Sequence, residues 1–223
     1  AAETFVNPVA ITLLLATALA AFCVLAWRKL AIVVRLSPEP RWDHPLSRIR
    51  SVLVNDFFQS RMVAREWKPG VMHAVIFLGF MTLLVRKVQL LAIGYDESFV
   101  YPGLAGGLFA SFKDVVEIAV LGAVGYALWR RLVQKPARLE RNREALVILS
   151  LIAAIMITDF LFDGFRFGLK AAEFPGIAHE RAFAFGGDAI AGLLSGRSPA
   201  ALAVGYHVSY WVQMLTVLGF LVI

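Results

Sequence analysis

The chain has 223 residues, 59% of them hydrophobic, with a mean hydropathy of +0.71, a balance that excludes an ordinary soluble domain. Several apolar runs reach the roughly 17–25 residues needed to cross a bilayer. The net charge of +6 is gathered in particular connections between those runs, so membrane topology explains it better than a nucleic-acid partner does.

The first span is "PVAITLLLATALAAFCVLAW", running on to Val34 (8–34). It has no basic start, and its apolar run is too long for the centre of a signal peptide. It holds Cys23, the sole cysteine, so neither an intrachain disulfide nor a cysteine-ligated cluster can form within this sequence. Residues 28–68 follow, with nine Lys/Arg among them. Within them "PLSRIRSVLVNDFFQSRMV" (45–63) places Leu46, Ile49, Val52, Leu53 and Phe57 at helical spacing and predicts an amphipathic helix on the membrane surface. Spans two to five are expected at about 69–94, 111–133, 144–168 and 199–223. Residues 95–112 carry no Lys or Arg, whereas "RRLVQKPARLERNRE" (130–144) is strongly basic. The positive-inside rule then predicts an all-α bundle of five spans, N-terminus outside and C-terminus cytoplasmic. The chain starts on alanine and stops within an apolar run, so a fragment of a longer polypeptide is expected, with residues 1–223 forming one transmembrane domain.

Two histidines fall inside spans: His73 in "KPGVMHAVIFLGF" and His207 in "VGYHVSYW". His44 and His179 fall in connections, where a surface histidine is the default. A buried imidazole can bond across helices, relay protons or ligate haem iron. Gly70, Gly79 and Gly205 leave room for a flat macrocycle, and Phe77, Phe80, Tyr206, Tyr210 and Trp211 offer rings to pack on it. Arg65 and Lys68 lie below His73, placed to pair with haem propionates. On a rise of ~1.5 Å per residue, His73 sits ~12 Å to the cytoplasmic side of its span's middle and His207 ~7 Å to the outer side. One shared haem is therefore strained. His73 calls for a partner just past Ile223, and the nearest candidates facing His207 on span two are Met81 and Thr82.

The segments "RIRSVLVNDFFQSRMVAREWKPGVMHAVIFLGFMTLLVRKVQLL" and "YHVSYWVQMLTVLGFLVI" resemble the membrane domain of heterodisulfide-reductase-related iron–sulfur oxidoreductases, which include bacterial electron-transfer-flavoprotein:menaquinone oxidoreductases. That domain is in turn similar to the cytochrome b (gamma) subunit of respiratory nitrate reductase. The resemblance implies five spans, haem b between spans two and five, and a bacterial inner-membrane location. It also implies further histidines after span five and a cytoplasmic iron–sulfur domain beyond them. Where the nitrate-reductase subunit carries two histidines on span two, this chain has His73 alone, so one haem is expected and two are the upper bound.

Near the outer face lie Arg86, Lys87, Lys113, Asp114 and Glu117, with Asp159, Asp163 and Arg166 spaced to share one helix face. Either they fasten helix ends as ion pairs, Asp163 with Arg166 among them, or Arg86, Glu117, Asp159, Asp163 and Tyr210 bind quinone carbonyls and exchange protons. The reading these features give is membrane electron transfer between a cytoplasmic iron–sulfur module and menaquinone or ubiquinone. Membrane lipid, the iron–sulfur domain and electron-transfer flavoprotein are the expected partners. His73, then His207, would be the haem ligands. A small transporter or channel and a haem-free structural anchor are the rival classes.

Overall fold

A computed structural model describes residues 7–36, 43–136 and 143–222, and among these residues the chain is helical with no strand. The long helices are α1 (Pro8–Val34), α4 (Trp67–Ile93), α5 (Gly103–Trp129), α6 (Arg143–Lys170) and α9 (Pro199–Val222). Shorter helices intervene: α2 (Pro45–Ser51), α3 (Ser60–Arg65), α7 (Pro175–Phe183) and α8 (Phe185–Leu193). α1 shows how local chemistry sets a boundary. Asn7 Oδ1 accepts from the backbone N–H groups of Val9 and Ala10, and Pro8 sits in the first turn, where its missing N–H costs nothing.

α1, α4, α6 and α9 are long and apolar enough to cross a membrane. α5 has 27 residues, as many as α4, but Lys113, Asp114 and Glu117 interrupt its apolar run. It begins at Gly103, earlier than the expected 111, because "GLAGGLFA" continues the same helix. Its other end widens into a π-helical turn (Arg130–Gln134) that stops at Lys135, φ +46.

The predicted surface helix over 45–63 is not continuous. α2 runs into a π-helical stretch (Val52–Phe57), the chain breaks at Phe58–Gln59, and α3 starts in a new direction. The connection between α6 and α9, expected as a loop, holds α7 and α8, so His179 lies on a helix with Nε2 3.3 Å from the Gly103 carbonyl oxygen. A residue of each packs into an apolar cap formed by Ala110, Phe167, Ile177, Ala184 and Ala191, and such burial stabilises helices too short to persist alone.

α6 is the hub, packing on α5, α7, α8 and α9, while α4 packs on α5. α1 touches the bundle mainly through α9, with Ile11 set into a core of Leu90, Ile93, Phe162, Tyr206, Tyr210 and Met214. A second core, with Leu83, Val120, Val124, Ile152, Ile155 and Met156, fills the half nearer the basic connections, here called the basic end. Between these two cores lies a layer of charge.

Candidate functional site: a buried ionic layer and a held histidine

Three helices bring charge to one level. Arg86 of α4, Lys113 and Glu117 of α5, and Asp159 and Asp163 of α6 are each at most 1% exposed. Arg86 Nε donates to both Asp159 oxygens at 3.2 and 3.1 Å, Nη1 donates to Gln89 Oε1 at 2.7 Å, and Nη2 donates to Asp163. Lys113 Nζ donates to Asp163 Oδ2 at 2.8 Å and Glu117 Oε2 at 3.3 Å, and lies 3.5 Å from Asp159 Oδ2. Gln213 of α9 closes the ring by donating to Asp159 Oδ1. The guanidinium's several donors let Arg86 hold two carboxylates and an amide together, and without such pairing these charges would not stay buried.

The layer extends toward the other end of the bundle. Gln89 Nε2 donates to Glu180 Oε1 at 2.7 Å, and Glu180 Oε2 accepts from Arg166 Nη1 at 2.7 Å. Arg166 Nη2 reaches the Phe99 carbonyl oxygen, and Lys170 pairs with Glu97. Asp114 Oδ2 accepts from the Gly186 N–H at the start of α8. In the turn after α4, Asp96 accepts from the backbone N–H and hydroxyl of Ser98, which pulls its carboxyl below the usual range.

Several groups in the layer and its extension keep unused capacity, Gln213 Oε1, Asp114 Oδ1 and Arg166 Nε among them. Lys87 Nζ and Glu117 Oε1 are buried without a hydrogen-bond partner among the described residues, although Lys87 Nζ lies 3.8 Å from Asp159 Oδ1. Lys87 also lines a narrow cleft of about 70 Å³ with Phe80, Leu83, Leu84, Ile155, Met156 and Val217. Its ammonium is the one charged group bordering that otherwise apolar space.

Of the residues foreseen for quinone or proton chemistry, Arg86, Glu117, Asp159 and Asp163 are brought together. Tyr210 is not. Its hydroxyl donates to the Leu90 carbonyl oxygen at 3.1 Å and its ring packs near Phe162 in the apolar core. Gln213, one turn further along α9, takes the place expected of it. The expected Asp163–Arg166 pair does not form either: Asp163 answers Arg86 and Lys113, and Arg166 turns to Glu180. Gln89, Gln213 and Glu180 escaped the sequence reading. The glutamines had a usable signal, since an amide inside an apolar span needs a partner there. Glu180 had none, because its segment read as a connection.

His73 is exposed on α4 near the basic end. Its Nδ1 lies 2.6 Å from Oε1 of Gln59, and its ring borders a cleft of about 210 Å³ between α4, α5 and α6, which Arg130 and Arg131 also line. Arg65 is exposed on α3, and Lys68 is exposed in the first turn of α4, with its ammonium 5.6 Å from the Trp67 ring centre.

His207 lies elsewhere. The Tyr210–Leu90 bond fixes the antiparallel register of α9 on α4, which puts His207 near the level of Ile93, about 20 residues or roughly 30 Å along the axis from His73. A single haem iron cannot join them. The same register corrects the choice of Met81 and Thr82 opposite His207, both of which lie far nearer the basic end. The level of His73 falls just past Val222.

The glycines expected to cradle a macrocycle are occupied by protein. Gly205 faces the Phe165 ring, Gly79 faces Val120, and at Gly70 an added Cβ would stand 2.5 Å from Val63 Cα. Among the described residues no group of three or more His, Cys, Asp or Glu side chains is placed to hold a metal ion. The surroundings thus match a haem at neither histidine, although His73 offers one imidazole of suitable chemistry.

No family model matches the chain, and no solved structure matches it. Two curated proteins do. The first, "Probable iron-sulfur-binding oxidoreductase FadF" of Bacillus subtilis, is 30% identical over 199 residues, which is 85% of this chain and 26% of that protein. The second, "EtfAB:quinone oxidoreductase" of Syntrophomonas wolfei, is 30% identical over 200 residues, 84% of this chain and 27% of its own length. The chain is similar to one segment of two oxidoreductases. It spans about a quarter of the length of each, and the matches support an oxidoreductase-related family.

Proposed function

We propose that this chain is the membrane part of a quinone-linked oxidoreductase, in which the buried ionic layer receives the quinone head group and exchanges its protons. The observation that carries this reading is the layer's spare capacity. A set of ion pairs that only fastened helices would satisfy its own members, and most of this layer does. Lys87 Nζ and Glu117 Oε1, like Gln213 Oε1, instead retain an unused donor and unused acceptors among the described residues, and Lys87 also borders an apolar cleft. Quinone reduction takes up two electrons and two protons. Its carbonyl oxygens need donors as charge builds on them, and a positioned acid or ammonium supplies both hydrogen bond and proton.

His73 would hold a haem b near the basic end, with Arg65 and Lys68 close enough to the same end to meet its propionates. When bound, that group supplies one-electron transfer; the protein's part is to ligate it, orient it and set its surroundings. His207, excluded from that iron by register, is left as a second, separate candidate ligand. Five spans with the N-terminus outside, in a bacterial inner membrane, complete the reading. Menaquinone or ubiquinone would be the quinone, and an iron–sulfur domain, with electron-transfer flavoprotein behind it, the cytoplasmic electron partner. The similarity to a quinone oxidoreductase and to an iron–sulfur-binding oxidoreductase supports it.

The test uses the full-length protein. Glu117→Gln and Lys87→Met should each lower quinone turnover at least tenfold while the haem spectrum and melting temperature stay near wild type. Wild-type turnover in both variants would overturn the assignment of quinone chemistry to this layer.

A further inference from the structure

The end of α5 carries two consecutive arginines to one cleft. Arg130 and Arg131 both line the space of about 210 Å³ between α4, α5 and α6. Neighbouring residues of an α-helix point about 100° apart, so such a pair does not ordinarily share a target. Here the helix widens at Arg130 into its π-helical turn and leaves it at Lys135 in the left-handed region. π-helical turns concentrate at functional sites.

Below the arginines the cleft is apolar. Its lining includes the buried side chains of Ala127, Leu149 and Ile152, and Ile148, exposed on α6, marks where it opens to the surface of the bundle. Aromatic residues place this opening at the level of the lipid headgroups, because Trp and Tyr gather at the membrane–water interface. Trp129, next to Arg130, is exposed and its ring centre lies 5.8 Å from that of Tyr126, and Trp67 is exposed at the start of α4. Arginine side chains suit that level, with apolar stems on the protein and charged heads in water.

The same side chains suit a phosphate. Among the described residues Arg130 donates from Nη2 to Glu66 Oε2 at 3.2 Å, a bond that ties the end of α5 to the start of α4 and orients the guanidinium. A guanidinium carries five N–H donors in a planar fork, which leaves the rest to meet phosphate oxygens. A free phosphate would find the arginines but leave the apolar lining uncovered, and so would an acidic protein segment. A phospholipid brings both parts, an anionic headgroup at the interface and an acyl chain beneath it. Basic pockets between membrane spans take such headgroups.

We propose that the cleft between α4, α5 and α6 binds an anionic phospholipid, its phosphate held by Arg130 and Arg131 and its acyl chain laid on Ala127, Leu149 and Ile152. The site lies nearer the basic end than the ionic layer does and depends on neither quinone nor haem. Bound there, the lipid joins three helices and stabilises the folded bundle by mass action.

The experiment titrates the full-length protein in detergent with phosphatidylglycerol, phosphatidylcholine or inorganic phosphate, reading bound lipid by native mass spectrometry together with the melting temperature. Phosphatidylglycerol should bind and raise the melting temperature, and the other two should do neither. Arg130→Gln and Arg131→Gln should each weaken phosphatidylglycerol binding roughly fivefold. Ala145→Trp, which fills the cleft and keeps both arginines, should abolish it. Arg61→Gln removes an exposed charge at the same end and should change nothing. A loss with Arg61→Gln as large as with the other two would mean general attraction to a basic surface and would overturn the site. Equal binding of the two lipids would overturn it too, as would phosphatidylglycerol binding that survives both glutamine substitutions together. Stabilisation by inorganic phosphate as strong as by phosphatidylglycerol would give the arginines to a free anion and end the lipid reading.

Discussion

Asp159 is where the energetics of the buried layer concentrate. Its carboxylate takes two bonds from Arg86 and one from Gln213, and lies within 4 Å of Lys87 and Lys113. Taking one partner from a buried pair strands the other charge, which costs about 3–5 kcal/mol. Replacing both with apolar residues removes that penalty. Asp159→Leu and Arg86→Met should therefore each destabilise the bundle by about 3–5 kcal/mol in a detergent-unfolding titration, and the double variant by clearly less than their sum. An additive double variant would mean that the two side chains do not share one electrostatic unit. Gly205 and Gly125 show the same dependence on surroundings for a smaller residue. Nothing lies within 4 Å of where a Cβ would stand at Gly125, while the Phe165 ring fills that position at Gly205.

At the scale of elements, that contrast becomes a statement about helix pairing. α6 and α9 share the most extensive packing in the bundle, and Gly205 lets the Phe165 ring lie against the α9 backbone. Gly205→Ala should separate the two helices and cost about 1–3 kcal/mol through overpacking. Gly125→Ala should be neutral or stabilising by up to about 1 kcal/mol, because it gains helix propensity and meets nothing. Melting temperatures of the two variants, compared side by side, check the assignment. The stretch over 45–65 shows the opposite situation, in which tertiary contacts override periodicity. Its apolar spacing continues through Phe57, yet the helix breaks at Gln59, where burial and the bond to His73 offset the strained backbone. α7 and α8 follow the same logic, too short to be stable alone and held by the cap they share with α5 and α6.

The whole molecule is a bundle in which two apolar cores sandwich a charged layer, with α6 at the centre and α1 at the rim. An isolated chain of this kind exposes many large apolar side chains, Leu13, Trp27, Val88, Leu108 and Val208 among them, as lipid-facing surfaces require. The Lys/Arg-rich connections gather at the end where α4 begins, and the proposed orientation puts that end inside and the other outside. In a Cys23→Ser background, a cysteine at Leu104 or Leu193 should react with an impermeant maleimide added outside intact cells. A cysteine at Val133 should react only after the cells are opened. The reverse pattern would invert the orientation.

Composition and periodicity by themselves determined the all-helical class, the long helices to within a few residues apart from the earlier start of α5 at Gly103, and the unusual density of charge on three of them. Those properties follow from hydropathy and local spacing, which each segment carries without reference to the others. The partners of those charges were decided in three dimensions. Spacing along α6 put Asp163 near Arg166, but helix packing gave it Arg86 and Lys113 instead, because a buried carboxylate goes to the donors that neighbouring helices bring to its level. The separation of His73 from His207 was foreshadowed by counting residues from the span ends and was fixed only by the register of α9 on α4. The Gln59–His73 bond lay outside any pattern in the sequence, since it depends on a break in one helix and the close approach of another at Gly70.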